Sequence, residues 1–323
     1  MDPLSDVLSL LKPRSYVSSG FDAGGDWSVR FLDQEGWIKC YAVVSGGCWL
    51  CVDGESDPVW LKAGDCFALP SGRPFRLASD LSVAPIDSGT VFPPRRAGGI
   101  VTLNSGGDVF LVGSRFSVSG RQAGELLRTL PAMVHIQKKK DRAALRWCVE
   151  QMMYELGEPQ PGGVLIAQHL AHILLVEALR VHLYTTNGGV GWFFALADKQ
   201  LSVALGAIHG DPAYRWTLES LAKRASMSRS TFAARFKRTV GETPMEYVAR
   251  WRMLLAADRL ETSSDPVSQI AVSLGYESES AFSTAFKRVM GCSPRKHAQG
   301  RRSGARSITH SLAAPQERVG ITG

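Results

Sequence analysis

Two copies of one short pattern, Phe-Lys-Arg-x-x-Gly-x-(Ser/Thr)-Pro, carry the side chains best suited to bind an anion. Lys237 and Arg238 belong to the first copy, and Lys287 and Arg288 belong to the second, fifty residues later. Ammonium and guanidinium groups held in such fixed pairs can bind phosphate groups. A basic surface that faces only water would carry the same residues, so the pattern by itself does not identify a partner.

The positive charge of the chain is concentrated around this repeat. Residues 215–306 contain 17 lysines and arginines against 8 aspartates and glutamates, a net charge of +9, whereas the whole chain carries +7. The rest of the chain is therefore slightly acidic. Such an asymmetry indicates a polyanionic partner for the C-terminal third.

A second candidate for chemistry is the pair Cys48 and Cys51, since paired cysteines can bind metals or exchange disulfides. The pair lies within an apparent strand, where positions i and i+3 point to opposite faces. We therefore interpret the six cysteines as reduced structural thiols. The N-terminal sequence has no basic segment before an apolar run, so we expect no signal peptide. The longest uncharged stretch, 159–176, contains two prolines and two histidines, so we also expect no membrane span. Reduced thiols without a secretion signal indicate a cytoplasmic protein.

Each copy of the repeat predicts two short helices joined by a tight turn. In the first copy, Thr217 and Ser228 are typical helix-capping residues, and Gly241 ends the second helix. In the second copy, Ser278 and Gly291 have the corresponding positions. A short helix, a turn and a second helix form a helix-turn-helix unit.

Two such units, joined by a helix predicted over Met245–Leu260, could enter successive major-groove segments about 34 Å apart. A helical bundle with a repeated cap would explain the phenylalanines and glycines of the repeat, but not the concentration of positive charge. We therefore predict an all-α double helix-turn-helix domain whose partner is double-stranded DNA.

Helical periodicity separates a core face from an outer face on the second helix of each unit. Phe232 and Phe236 face the core in the first unit, and Phe282 and Phe286 do so in the second. The predicted base-reading residues are Arg229, Ser230, Ala233, Ala234, Glu279, Ser280, Ser283 and Thr284. The predicted phosphate-binding residues are Thr231, Lys237, Arg238, Lys287 and Arg288. Glu279 is suited to accept a hydrogen bond from cytosine N4, and Thr284 to contact a thymine methyl group.

The region 215–300 closely resembles the AraC/XylS family of bacterial transcription regulators. The resemblance rests on Ile-Ala-x-x-x-Gly-Tyr-x-Ser-x-Ser-x-Phe, which begins at Ile270, and on the two Phe-Lys-Arg patterns. His297 occupies the position where the family usually has tyrosine. The resemblance implies a cytoplasmic, ligand-responsive regulator that binds DNA, a small-molecule effector and RNA polymerase, and that forms a homodimer.

The N-terminal part, from Arg30 to about Leu111, predicts many short strands separated by glycine turns, which is typical of a small β-barrel. Residues 64–79 resemble the second cupin motif, with Gly64 in place but Phe75 at the histidine position. The first histidine of the whole sequence is His135, which lies beyond this motif. A metal-dependent cupin enzyme needs imidazole ligands from its barrel, so we predict no enzyme, no cofactor and no bound metal.

An aromatic-rich barrel without metal ligands is suited to a small apolar ligand, although the same rings would also fill an ordinary core. The predicted ligand-pocket residues are Tyr41, Trp49, Phe67, Arg73, Phe75 and Arg76. Of these, Arg73 and Arg76 flank the former metal position and could pair with an anionic ligand.

The fold class predicted from these patterns is α+β, in four parts. A cupin-like sensor domain is predicted over 1–134, a helical linker and dimerisation segment over 135–212, the double helix-turn-helix domain over 213–303, and a disordered tail over 304–323. The linker is predicted to contain helices over 141–157, 163–185 and 190–209. The second of these is apolar around most of its circumference, which favours a helix–helix dimer contact.

Two alternatives stay open at this point. One is an architectural DNA-binding protein that senses no ligand and uses its barrel as a dimer scaffold. The other is a cupin enzyme tethered to DNA, against which the missing histidines argue.

Overall fold

The computed structural model describes residues 2–11, 14–32, 34, 36–92, 99–117, 127, 130–137, 143–158, 160–185 and 189–299. The predicted tail over 304–323 lies outside these residues. The chain divides into two compact units. The first, called the barrel unit, comprises residues 4–199 and 239–241, and the second, the helical unit, contains residues 1–3, 200–238 and the chain from Glu242 onward.

The strands of the barrel unit form two sheets. The larger has six strands in the order β11-β6-β3-β10-β1-β9, and the smaller has five in the order β5-β4-β7-β2-β8. Neighbouring strands are antiparallel except for the pairs β1–β9 and β2–β8. The strand bounds are β1 Arg14–Ala23, β2 Ser28–Phe31, β3 Trp37–Ser45, β4 Gly47–Val52, β5 Val59–Lys62, β6 Cys66–Leu69, β7 Phe75–Ala78, β8 Ile86–Asp87, β9 Ile100–Leu103, β10 Val109–Ser117 and β11 Val134–Ile136.

The core of this unit lies between the two sheets, because apolar residues alternate along the strands. In β4, Cys48, Leu50 and Val52 are buried, whereas Trp49 and Cys51 are only half-buried. A side-chain period of two places the first three on the inner face. Cys48 belongs to the core cluster and Cys51 does not, as predicted from the strand geometry. The predicted class, an N-terminal cupin-like barrel followed by a helical domain, is confirmed.

Helices cover one side of the larger sheet. Their bounds in the barrel unit are α2 Ser88–Val91, α3 Ala143–Gly157, α4 Gly163–Thr185 and α5 Trp192–Ala195, and α1 spans Pro3–Leu11. Helix α4 packs against α3 and against strands β1 and β11. By length and composition alone, α4 is also apolar enough to cross a membrane. Its buried residues include Leu174 and Leu179.

The predicted single helix over 190–209 is in fact two helices, α5 and α6 (Lys199–Gly210). Between them the backbone N–H groups of Leu196, Ala197 and Asp198 donate to carbonyls three residues earlier. This tighter pattern replaces the four-residue pattern of an α-helix and interrupts it.

The helical unit contains the remaining helices. Their bounds are α6 Lys199–Gly210, α7 Leu218–Arg224, α8 Arg229–Val240, α9 Pro244–Thr262, α10 Val267–Ser273 and α11 Glu279–Met290. Residues 294–299 are helical as well. Each short helix is therefore followed by a longer one, twice, with α9 between the two pairs.

Candidate nucleic-acid interface and the barrel interior

The first helix-turn-helix unit consists of α7 and α8, and local hydrogen bonds determine where both helices begin. Thr217 and Ser220 form a reciprocal cap, in which Ser220 N donates to Thr217 Oγ1 at 3.0 Å and Thr217 N donates to Ser220 Oγ at 2.9 Å. Thr231 N donates to Ser228 Oγ at 3.2 Å at the start of α8. These caps satisfy N–H groups that have no partner within the helix.

The turn between α7 and α8 is held from outside by a residue that sequence analysis did not single out. Gln200 Nε2, at the start of α6, donates to the carbonyls of Ala225 (3.0 Å) and Ser226 (3.3 Å). Gln200 Oε1 accepts from Arg235 Nη1 of α8 at 3.1 Å. Ser226 has a positive φ of 54°, a strained conformation for a residue with a Cβ. One glutamine thus connects the turn and the second helix of this unit to α6.

The second unit consists of α10 and α11. Gly275 occupies its turn with φ 79°, and a Cβ there would overlap the carbonyl oxygen of Ala213, so the turn requires glycine. Ser278 caps α11 by accepting from Ala281 N at 3.2 Å, and Gly291 ends the helix in the left-handed conformation.

Each unit has its own aromatic core. In the first, the rings of Phe232 and Phe236 lie 5.5 Å apart. In the second, Phe282 and Phe286 lie 5.7 Å apart and belong to a buried cluster with residues of α9 and α10. All four phenylalanines are fully buried, as predicted from their spacing.

His297, at the position where tyrosine is usual, closes the second core. Its ring lies 5.5 Å from that of Phe286, and its Nε2 lies 3.0 Å from Glu261 Oε1. The imidazole thus contributes an aromatic contact and a polar link to α9.

The burial of the phenylalanines leaves the opposite faces of α8 and α11 in contact with solvent. The exposed predicted DNA-contact residues are Arg229, Ser230, Thr231, Ala234, Lys237, Arg238, Glu279, Ser280, Thr284, Lys287 and Arg288. Ala233 and Ser283 are half-buried at the edges of these faces. The two helices therefore present corresponding sets of side chains, small or polar near the N-terminus and basic in the last turn.

Four of these side chains already have partners. On α8, Ser228 Oγ donates to Thr231 Oγ1 at 2.8 Å and lies 3.3 Å from Ser230 Oγ. Glu279 Oε1 lies 3.7 Å from Arg295 Nη2, and both side chains are largely exposed. Thr284 Oγ1 donates to the Ser280 carbonyl at 3.0 Å, which leaves its methyl group as the part that can contact a base. Arg295 was not among the predicted residues.

The predicted ligand-pocket residues separate into two groups. Tyr41, Phe67 and Phe75 lie together in the barrel core, with the Tyr41 and Phe67 rings stacked at 4.9 Å. Trp49, Arg73 and Arg76 lie outside this cluster.

All three outlying residues have contacts of their own. The Trp49 ring meets that of Trp60 at 5.2 Å. Arg73 Nη1 donates to Glu55 Oε1 at 3.2 Å, and Arg76 donates to Ser28 Oγ and to the carbonyls of Leu81 and Val83. Both guanidinium groups are therefore engaged by neighbouring loops and strands.

A further cation, Lys39, lies inside the barrel. It is 6% exposed, and its ammonium nitrogen lies 4.0 Å from the ring centroid of Phe31 and 4.8 Å from that of Phe75. Burial and the nearby Arg115 lower the pKa of Lys39 to about 7. The alternation of β3, which places Lys39 on the same face as Tyr41, is a sequence signal that could have identified it.

Among the residues that the structure describes, no group of three or more His, Cys, Asp or Glu side chains is arranged to hold a metal ion. His135, the first histidine of the chain, lies 3.1 Å from Asp65 Oδ2 through its Nε2 atom.

Each of the two units matches a known protein family. The family model described as Cupin matches residues 2–184, and the one described as Helix-turn-helix domain matches residues 221–300. The AdpA DNA-binding domain, solved in complex with a target DNA, is 32% identical and covers 34% of this chain and 97% of that chain, with a TM-score of 0.32.

Two curated relatives match nearly the whole chain. A putative AraC-like transcription regulator of Streptomyces antibioticus is 46% identical over 302 residues, which cover 92% of this chain and 99% of the relative. The HTH-type transcriptional regulator AlkR of Acinetobacter baylyi is 33% identical over 308 residues, 93% of this chain and 99% of AlkR. With its cupin-like barrel and double helix-turn-helix unit, the chain belongs to the family of AraC-like, DNA-binding transcription regulators.

Proposed function

We propose that this regulator reads two successive major-groove segments of one operator, the first with α8 and the second with α11. The observation that carries the proposal is the correspondence of the two exposed faces. Each helix buries its two phenylalanines and presents small or polar residues in its first turns, followed by a Lys-Arg pair. Two equivalent helices suit two equivalent segments of a regular duplex.

Within each segment we assign different tasks to the two ends of the helix. The residues near the N-terminus read bases. Arg229 is the longest donor on α8, whereas on α11 Glu279 accepts a hydrogen bond from cytosine N4 and Thr284 contacts a thymine methyl group. The pairs Lys237–Arg238 and Lys287–Arg288, together with Thr231, bind phosphates. Because Ser230, Ala233 and Ala234 are small, the backbone of α8 can approach the groove closely.

The barrel unit receives a small-molecule effector in this proposal, and its occupancy changes the affinity of the helical unit for DNA. The support is the aromatic cluster formed by Tyr41, Phe67 and Phe75, in a barrel that holds no histidine cluster among its described residues. A ligand that binds two arrangements of the protein with different affinity shifts the population between them. The protein acts as a cytoplasmic regulator rather than as an enzyme, and it engages RNA polymerase at its promoters.

A homodimer is proposed through helices α3 and α4. Large apolar side chains on these helices remain exposed in the single chain: Trp147, Tyr154, Val164, Leu165, Ile166 and Ile173. An exposed apolar surface of this kind is typical of a contact with a second copy. The domain boundaries given by the sequence, at 134/135, 212/213 and 303/304, stay predictions.

The division between base and phosphate contacts can be tested with full-length protein and two variants. An operator is first selected from random duplexes by the wild-type protein. We expect Lys237→Ala to weaken binding to operator and to random DNA by the same factor, and to reduce the salt dependence by about one counterion. We expect Thr284→Ala to change the preference at one base pair and to leave binding to random DNA unchanged.

The measurement is fluorescence anisotropy at several salt concentrations, on the operator and on duplexes with single base-pair changes. Lys62→Ala, at an exposed lysine on β5, is the control for loss of one positive charge outside the helical unit. Equal losses on operator and random DNA for both variants would contradict the assigned tasks.

A further inference from the structure

Lys39 is placed in the barrel interior by the strand that carries it. On β3 it shares the inner face with Tyr41 and Val43, which belong to or pack against the core cluster. Its ammonium group lies over two rings, those of Phe31 and Phe75, which are themselves stacked at 4.3 Å. The charged end of the side chain is therefore directed into the core rather than toward water.

An ammonium group in such a place is costly unless an anion is near it. Removing it from water is strongly unfavourable, and contact with the face of an aromatic ring offsets only part of that free energy. Among the residues that the structure describes, no carboxylate forms an ion pair with Lys39. The acidic side chains of the neighbouring loop, Asp53 and Glu55, are paired with Arg30 at 2.7 Å and Arg73 at 3.2 Å.

The nearest charged neighbour of Lys39 makes its position less favourable still. Arg115 of β10 is directly opposite Lys39 in the strand register, and its guanidinium lies 4.9 Å from the Trp37 ring centroid. Like charges on facing positions of two adjacent strands repel each other. The buried Lys39 and the half-buried Arg115 therefore lie side by side on one face of β3 and β10.

We propose that this place binds the anionic head group of the effector, and that the effector is an apolar or aromatic carboxylate whose charge is neutralised by Lys39. This deepens the proposed effector function and rests on it. The head group would lie against Lys39 on the Arg115 side, and the apolar body would lie against the rings of Phe31, Phe75 and Tyr41. A carboxylate offers what the barrel lacks, since it supplies an acceptor for the ammonium group and reduces the repulsion between the two cations.

The surroundings argue against other ligand classes. A cationic ligand would add a third positive charge at this place. A sugar would need several hydrogen-bonding partners, whereas the core cluster that contains Phe31 and Phe75 is made of apolar and aromatic side chains. Apolar lining with one convergent charge is typical of sites for amphipathic small molecules.

The test compares two probes that share a ring system and differ in charge, 2-naphthoate and its methyl ester. Their binding to the full-length protein is measured by isothermal titration calorimetry for the wild type, for Lys39→Met and for Lys62→Met. Methionine keeps the length and apolar character of the buried stem, and Lys62 is an exposed lysine of the same unit. Circular dichroism verifies that each variant is folded.

We expect Lys39→Met to weaken 2-naphthoate binding at least about tenfold, which corresponds to about 1.4 kcal/mol, and to leave the binding of the methyl ester unchanged or tighter. Lys62→Met should behave as the wild type with both probes. The proposal is overturned if the Lys39 variant binds 2-naphthoate as the wild type does, if both probes lose affinity equally, or if the wild type shows no saturable binding of 2-naphthoate.

A second measurement separates this proposal from the sensing function. The affinity for the selected operator is determined with each probe present at saturation. If 2-naphthoate binds through Lys39 and operator affinity does not change, the anion site stands and the sensing function fails. If a probe changes operator affinity while Lys39→Met binds 2-naphthoate as tightly as the wild type does, sensing stands and the anion site is wrong.

Discussion

At the scale of single residues, the buried lysine and the exposed Lys-Arg pairs show that solvent exposure determines whether a cationic side chain is available for binding or destabilises the fold. Lys237, Arg238, Lys287 and Arg288 lie at the solvent-exposed ends of two helices, where their charge needs no partner within the protein. Lys39 has a charge of the same sign in the barrel core, where burial lowers its pKa to about 7. The first group is available for DNA, and the second is a source of instability in the protein without ligand.

This instability should depend on pH in a direction that follows from the lowered pKa. Between pH 7 and about 10.5 the unfolded chain holds a proton on Lys39 that the folded chain has lost, so the free energy of unfolding rises with pH. Below pH 7 both states hold the proton and the penalty is at its full size. We therefore expect Lys39→Met to be more stable than the wild type at pH 6, with an advantage that shrinks above pH 7 by up to about 1.4 kcal/mol per pH unit.

The measurement is urea unfolding of both proteins at pH 6, 7.5 and 9, followed by tryptophan fluorescence. The groups that face the Lys39 ammonium are Arg115 of β10 and the rings of Phe31 and Phe75, so Arg115 is the charged neighbour that could modify the result. Lys62→Met serves as control and should show no such pH dependence. A stability difference for Lys39→Met that is constant from pH 6 to pH 9 would show that this lysine does not titrate in the folded barrel.

At the scale of elements, the two helix-turn-helix units are built alike but are held differently. The turn of the first contains Ser226 at positive φ and is connected to α6 through Gln200. The turn of the second contains Gly275, and its helices pack with α9 in a separate buried cluster. Each recognition helix therefore depends on its own set of contacts.

This independence predicts a partial loss of DNA contact when one core is damaged. Phe286 is fully buried in the second core, and its truncation to alanine should cost about 3–5 kcal/mol. We expect Phe286→Ala to loosen α11 while α8, built on Phe232 and Phe236, stays in place. Hydroxyl-radical footprinting on the selected operator should then lose protection over one groove segment and keep it over the segment one helical turn away.

Val272→Ala, at an exposed apolar position of α10, is the matched control for a shortened side chain in the same unit and should leave the footprint at full length. A footprint of Phe286→Ala that disappears entirely, or one that keeps its full length, would mean that the two units do not read DNA independently.

At the scale of the whole molecule, the charge and the exposed apolar surface lie on different parts of the chain. The excess of +9 belongs to residues 215–306, which include both helix-turn-helix units. The exposed apolar residues of α3 and α4 belong to the barrel unit. One part is thus suited to bind DNA and the other to bind a second copy.

If the dimer forms as proposed, charges placed on that apolar surface should lower the mass of the oligomer in solution. We expect Leu165→Glu combined with Ile173→Glu to convert the dimer into a monomer, because two copies would bring four carboxylates together in an apolar contact. Sedimentation equilibrium at several protein concentrations measures the change. Leu81→Glu, at an exposed position away from these helices, should remain dimeric, and a wild-type protein that sediments as a monomer would itself refute the proposal.

Much of the helical unit is determined by the sequence alone. The period of the phenylalanines, the caps at Thr217 and Ser278 and the stop at Gly291 are signals between residues a few positions apart, and the structure has helices where those signals place them. The contrast between core and outer faces follows from the same period, so most exposed residues of α8 and α11 could be predicted, whereas Ala233 and Ser283 are half-buried at the edges.

The barrel interior and the support of the first turn were decided only by the tertiary structure. Alternation along β3 shows that Lys39 and Tyr41 share a face. Only the packing of the two sheets against each other makes that face the interior of the barrel and places Phe31 and Phe75 beside the ammonium group. Gln200 donates a hydrogen bond to the Ser226 carbonyl, a tertiary contact that no local sequence pattern predicts. Local periods specify which residues share a face, whereas burial and long-range partners depend on how distant segments pack together.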